Sequence, residues 1–130
     1  MVLDSSAIVA IEAQEPGYEK LIAKIDRAAG PVLAGAPTAL EAAMVLTACR
    51  GRDAAPWVSG FLRSVDAEVI PFSARHFEVA AKAFARFGKG RHPAGLNYGD
   101  CFSYALSKTT REPLLFKGKD FAKTDLIAAH

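Results

Sequence analysis

The 130-residue chain predicts an α/β fold, a three-layer α/β/α sandwich around a small parallel sheet. Three observations carry that expectation. Short apolar runs of strand type, Met1–Leu3, Val32–Ala34, Val69–Phe72 and Leu114–Phe116, alternate with helical segments, which is the pattern of βαβ units. The first run is apolar without in-and-out alternation, as in a strand covered on both faces. Hydrophobic residues make up 51% of the chain and charged residues 23%, the composition of one compact domain rather than a disordered tail, coiled coil or fibre. No linker, internal repeat or low-complexity stretch interrupts it, so residues 1–130 read as a single domain.

Each element has a local reason. Met1-Val2-Leu3 is ended by Asp4, and Ser5 to Ile11 begin a helix with Asp4 or Ser5 as its cap. Pro16-Gly17 punctuates, after which Tyr18, Leu21, Ile22 and Ile25 fall at helical spacing over residues 18–28. Gly30-Pro31 breaks the chain before the second strand. Thr38 is expected to open a helix through Glu41 and Leu46 to Cys49, stopped by Gly51. Residues 53–64 form a further helix with Trp57, Phe61 and Leu62. The third strand, Val69-Ile70-Pro71-Phe72, is followed by an Ala-rich helix from Ser73 to Phe87. Gly88 to Gly95 is a basic, glycine-rich loop. Asn97 caps a helix to about Lys108, Pro113 precedes the fourth strand, and residues 117–130 are a turn and a short last helix.

Sixteen Lys and Arg against fourteen Asp and Glu leave a net charge of +2, so charge distribution rather than total must reveal a partner. Cys49 and Cys101 are far apart and lack CxxC spacing, which reads as small buried hydrophobes in a reducing compartment. The N-terminus has no basic region ahead of an apolar one, and no apolar run is long enough to span a membrane. The expectation is a cytoplasmic protein.

The acids follow the strands. Asp4 succeeds strand one, Glu41 falls in the first turn of the helix after strand two, Asp100 in the first turn of the helix from Asn97, and Asp120 after strand four. In an open parallel sheet these positions share one edge, where ligands bind. Four carboxylates there are costly unless paired, protonated or neutralised by a cation. All-oxygen ligands suit Mg²⁺ or Mn²⁺, and there is no Cys/His cluster for zinc. A plainer reading stands beside this one. Thr38-x-x-Glu41 and Asn97-x-x-Asp100 both have the form of capping boxes, and Asp4 that of an N-cap. The readings coexist, because a helix N-terminus also holds a carboxylate ionised and oriented.

Ser5 and Ser6 beside Asp4 are either helix-start residues or contacts to substrate phosphate. Lys89, Arg91 and His92 are either a solvated loop or a phosphate clamp at the rim of the acidic centre. Trp57, Phe61, Phe77, Phe84 and Phe87 recur at helical spacing and read as core or dimer interface. Asp125 is a rival to Asp120 for the fourth acid.

The stretches MVLDSSAIVAI, TALEAAMVL, GKGRHPAGLNYGDCFSYALSK and PLLFKGKDFAKTD together resemble a PIN-domain ribonuclease of the VapC type, the toxin of a bacterial toxin–antitoxin pair. The resemblance extends from the first residue to about Asp125. It implies an α/β/α sandwich and catalytic acids at Asp4, Glu41, Asp100 and Asp120, with Asp4 and Asp100 as principal metal ligands. It departs from the family at Gly118, where relatives often carry a polar or acidic residue, so that either Asp120 serves as the fourth acid or the site works with three acids plus waters. The implied reaction is Mg²⁺-dependent hydrolysis of RNA by water, leaving a 5′-phosphate and a 3′-hydroxyl, with Mn²⁺ as a substitute ion. The implied partners are RNA, a small antitoxin and a second copy of the chain. The antitoxin's C-terminal segment would lie across the acidic edge, with helices 18–28 and 53–64 forming its apolar groove.

Two other classes compete. A phosphoacceptor receiver domain shares a layered fold but requires an acidic pair after strand one and an aspartate after a middle strand. Here strand one gives only Asp4 and strand three ends in Pro71-Phe72-Ser73. A catalytically inactive RNA- or protein-binding module would not require all four acids.

Overall fold

A computed structural model describes residues 1–130. Four strands, β1 (Val2–Leu3), β2 (Val32–Gly35), β3 (Ala67–Ile70) and β4 (Leu114–Leu115), form one parallel sheet in the order β3-β2-β1-β4. The register pairs Leu3 with Ala34 on one side and with Leu115 on the other. Six helices cover it: α1 (Ser5–Glu12), α2 (Tyr18–Asp26), α3 (Ala36–Arg50), α4 (Ala55–Ser64), α5 (Ala74–Phe87) and α6 (Tyr98–Thr110).

The pleat divides the core in two. Leu3, Ala34 and Leu115 pack with Ile8, Ile11, Leu21, Leu46, Val58 and Leu62 from α1–α4. Their strand neighbours Val2, Leu33 and Leu114 point the other way, onto Phe87, Leu96, Tyr104 and Leu106 from α5, α6 and the loop between them. Adjacent strand residues thus feed opposite layers, which is why β1, β2 and β4 are apolar throughout rather than alternating, whereas the edge strand β3 carries the exposed Glu68. The expected sandwich is the observed one.

Chain order runs outward from β1 through β2 to β3, then returns to place β4 on the other side of β1. That reversal creates a switch point between β1 and β4, where the exits of the two strands diverge and leave a crevice.

Three elements differ from the sequence expectation. Helix α3 starts at Ala36 with Gly35 as its cap and Pro37 in its first turn, not at Thr38. Thr38 is fully buried, its hydroxyl 3.3 Å from that of Ser103 on α6, and Glu41 falls in the second turn. Strand β3 ends at Ile70, before Pro71, which has no N–H to give the ladder. The C-terminal segment contains only a single 3₁₀ turn, Phe121–Lys123, and returns along β4 through a bridge between Leu114 and Ala128.

That segment is pinned by Asp125. Its carboxylate accepts hydrogen bonds from the Tyr104 hydroxyl at 2.6 Å and the Lys108 ammonium at 3.1 Å, with Arg86 at 3.5 Å. Burial works to raise the Asp125 pKa, and the bonds from Tyr104 and Lys108 overcome it and hold the carboxyl below its ordinary range. Tyr104→Phe removes one charge-assisted bond. It should lower unfolding stability by about 1–2 kcal/mol in urea denaturation while leaving the sheet edge intact. Unchanged stability would show that Asp125 does not anchor this segment.

Candidate active site

Asp4 ends β1 at the switch point and caps α1. Its N–H donates to the Leu115 carbonyl at 2.9 Å, continuing the β1–β4 ladder by one residue. Its side chain is 2% exposed, and Oδ2 accepts from the Ser6 N–H at 3.0 Å and the Ser6 hydroxyl at 2.5 Å. The Ser6 oxygen in turn accepts from the Lys117 N–H at 3.0 Å, which ties the exit of β4 to the start of α1. Asp4 Oδ1 is buried and has no hydrogen-bond partner.

Glu41 reaches the same edge from α3. Its Oε2 is also buried without a partner. Burial raises its pKa, the charge of Asp4 raises it further, and the Ser5 hydroxyl works the other way. Asp100 occupies the third position of α6 in a reciprocal capping box. The Asn97 N–H donates to Asp100 Oδ2 at 2.8 Å, and the Asp100 N–H donates to Asn97 Oδ1 at 2.9 Å. Burial nonetheless pushes the Asp100 carboxyl up to about 6. The Asn97 bond opposes this, and the charges of Asp4, Asp120 and Glu41 add to it. Asp120 is exposed at the start of the 3₁₀ turn, with no side-chain capping bond. Gly118, two residues before it, has φ +110°, a conformation that excludes a side chain at little cost only for glycine.

Asp100 is therefore within electrostatic reach of the other three acids expected at this edge, and Glu41 of Asp4. Of the two plain capping readings, that for Asp100 is observed and that for Glu41 is not, because α3 begins two residues earlier. Asp125, the rival fourth acid, is engaged by Tyr104 and Lys108 instead.

The other expected contacts divide. The Ser6 hydroxyl is occupied within the protein by Asp4 and Lys117, so it positions the acid rather than projecting outward. Lys89 and Arg91 are exposed on the loop before α6. His92 stacks edge-on against Phe87 at 5.1 Å and its Nδ1 accepts from the Ala94 N–H at 3.0 Å, which shapes the loop. Lys123 donates to the Pro93 carbonyl at 3.3 Å and ties that loop to the turn beginning at Asp120. Sequence reasoning missed Lys117, which pairs with Glu15 and supplies the backbone N–H for Ser6. The rule that located Asp4, a position just past a strand's carboxyl end, applies equally to Lys117. Cys101, beside Asp100, has its thiol pushed up to about 11 by burial and by the Asp100 charge, which keeps it protonated and unreactive.

Two partnerless, buried carboxylate oxygens on neighbouring acids are the donor set a hard divalent cation takes. No group of three His, Cys, Asp or Glu side chains closes on a single point. The protein alone therefore offers an ion one or two carboxylates.

Carboxylates gathered at the switch point of a parallel α/β/α sheet are a candidate site of the hydrolase type. The family model described as PIN domain matches residues 1–127. A "Ribonuclease VapC" of Mycolicibacterium smegmatis is 42% identical over the full length of both chains. "Ribonuclease VapC30" of Mycobacterium tuberculosis is 40% identical, covering 97% of this chain and 95% of that one. This chain belongs to the PIN-domain family, among its VapC ribonucleases. Two solved structures share the fold. One is Mycobacterium tuberculosis VapC20, described as a Sarcin-Ricin loop cleaving toxin, with a TM-score of 0.76 at 17% identity over 97% of this chain and 95% of that one. The other is Rickettsia felis VapBC2, bound to a DNA fragment from its promoter, with a TM-score of 0.70 at 14% identity over 98% and 95%.

The raised carboxyls fix a pH dependence. Asp100 in the folded protein binds its proton up to about pH 6, whereas in the unfolded chain it releases it near pH 4. A folded pKa above the unfolded one contributes stability that is full below about pH 4 and lost as pH rises through about 6. In EDTA the melting temperature should therefore fall between about pH 5 and pH 7.5, with a shallower fall in Asp100→Asn. Saturating Mg²⁺ should flatten the wild-type curve. Equal slopes for the two proteins in EDTA would contradict the assignment.

Proposed function

We propose that this chain is a divalent-metal-dependent endoribonuclease and the toxin half of a toxin–antitoxin pair, with Asp4, Glu41, Asp100 and Asp120 as its catalytic acids. The observation that carries the reading is the orphaned Oδ1 of Asp4, buried beside Glu41 and Asp100 at the switch point. Asp4 and Asp100 would hold the ion, Mg²⁺ with Mn²⁺ as a substitute. When bound, the ion supplies charge to the scissile phosphate and acidifies the attacking water.

The side chains do the rest. Ser6 holds Asp4 Oδ2 and leaves Oδ1 without a partner, and Asn97 holds Asp100 by its Oδ2. Glu41, its pKa raised by burial, accepts the proton of the attacking water as the water oxygen bonds to phosphorus. The bond from phosphorus to the 3′-oxygen breaks, and that oxygen takes a proton to leave as a hydroxyl, so the other product carries the 5′-phosphate. Asp120, exposed at the rim, orients water. Lys89 and Arg91 contact flanking phosphates on the loop that His92 shapes.

Two apolar surfaces remain for partners. Ile22 of α2 and the stacked pair Trp57–Phe61 of α4, ring centres 5.3 Å apart, are only partly buried against the core. We assign this face to the antitoxin, whose basic side chain would reach the carboxylates. A second apolar surface carries Phe77 and Phe84 of α5 and Tyr98 of α6, all exposed, around a hollow of about 460 Å³ lined only by apolar residues, and Tyr98 continues it into the groove of Met44 on α3. We assign it to a second copy of the chain. No helix is long and apolar enough to cross a membrane.

Asp100→Asn keeps the acceptor that the Asn97 N–H uses and removes one charge. Metal-free stability at pH 8 should stay level or rise, the Mg²⁺-induced rise in melting temperature should shrink, and cleavage of a defined RNA should drop about 10²-fold or more. His92→Ala should retain most activity. Wild-type cleavage by Asp100→Asn would overturn the assignment. Sedimentation at micromolar concentration should give twice the 13.8 kDa chain mass, and Phe77→Asp should return the monomer. A wild-type monomer would remove the dimer assignment.

A further inference from the structure

Gly99 lies between Tyr98 and Asp100 in the first turn of α6, with no special backbone angle of the kind that requires glycine. What distinguishes it is what it faces. A Cβ placed there would sit 2.6 Å from the carboxyl carbon of Glu41 and closer still to both its oxygens. The Glu41 carboxylate therefore occupies the space that any side chain at 99 would fill. The same carboxylate has a buried oxygen without a hydrogen-bond partner and lies within reach of the Asp4 charge. Apart from the Ser5 hydroxyl, nothing holds it by hydrogen bonding, so the space beside Gly99 is left to set its position.

We propose that Gly99 is a positioning residue for catalysis: its missing side chain forms the slot that holds the Glu41 carboxylate against α6, beside Asp4 and Asp100. This rests on the role given to Glu41 above. The contact sets the distance of α3's only acid from those on β1 and α6. In Gly99→Ala the methyl group and the carboxylate cannot share the space. The long Glu41 side chain yields rather than the backbone, swinging toward the exposed groove of Met44 and Val45 on its own helix. The helix itself gains from alanine. The substitution is thus expected to spare the fold and to damage the site.

The test is a double-substitution cycle with two readouts, Mn²⁺ affinity by electron paramagnetic resonance and cleavage of a defined RNA, alongside thermal melts in EDTA. Gly99→Ala should melt at or above the wild-type temperature while losing about tenfold or more in Mn²⁺ affinity or in kcat. In a Glu41→Ala background the same substitution should cost nothing further, because the displaced group is gone. Glu41→Asp, one methylene shorter, should partly restore the Gly99→Ala protein. Full activity and affinity in Gly99→Ala, or losses that multiply with those of Glu41→Ala, would overturn the slot and leave the function of the acids standing. Wild-type behaviour of Glu41→Ala alone would overturn the role of Glu41 and the slot with it.

Discussion

One carboxylate organises the molecule. Asp4 must end β1, cap α1 and remain buried at the switch point, all at once. Its Oδ2 is satisfied by Ser6, whose hydroxyl also takes the Lys117 N–H, so the exits of β1 and β4 are joined through a single side chain. Its Oδ1 is left without a partner in a place that water barely reaches. A buried, charged acceptor left unpaired is expensive, by at least about 1–3 kcal/mol. The proposed cation would remove that cost, and the same tension is written into the raised pKa values of Glu41 and Asp100.

The rest of the architecture serves to bring three more acids to that point without letting them neutralise one another. Parallel strands put every strand exit on one edge. The return of β4 to the far side of β1 opens the crevice, Thr38 against Ser103 sets α3 upon α6, and Gly99 lets Glu41 close on the N-terminus of α6. The capping box at Asn97 and Asp100 both starts a helix and holds a carboxylate of the candidate site.

Much of this was legible in the sequence. The four apolar runs, the acids that follow them and the cap at Asn97 are local signals, readable from a few adjacent residues. The start of α3 was misplaced because Thr38-x-x-Glu41 has the form of a capping box, whereas tertiary packing buries Thr38 against Ser103 and Gly35-Ala36-Pro37 already turns the chain into the helix. The choice between Asp120 and Asp125 was not readable, since it depends on Tyr104 and Lys108, seventeen and more positions earlier in the chain. The occupied hydroxyl of Ser6 and the slot at Gly99 were hidden for the same reason: each depends on a contact between residues distant in sequence.

Burial raises the pKa of Glu41 and Asp100 at the edge where we propose that a divalent cation binds. Titration calorimetry of Mg²⁺ into the protein, at pH 6 in buffers of different ionisation enthalpy, measures the protons released on binding. The account predicts a fractional release near pH 6, where Asp100 is half protonated, vanishing by about pH 8 and sharply reduced in Asp100→Asn. Binding with no proton release at pH 6, or the same release in Asp100→Asn, would contradict it.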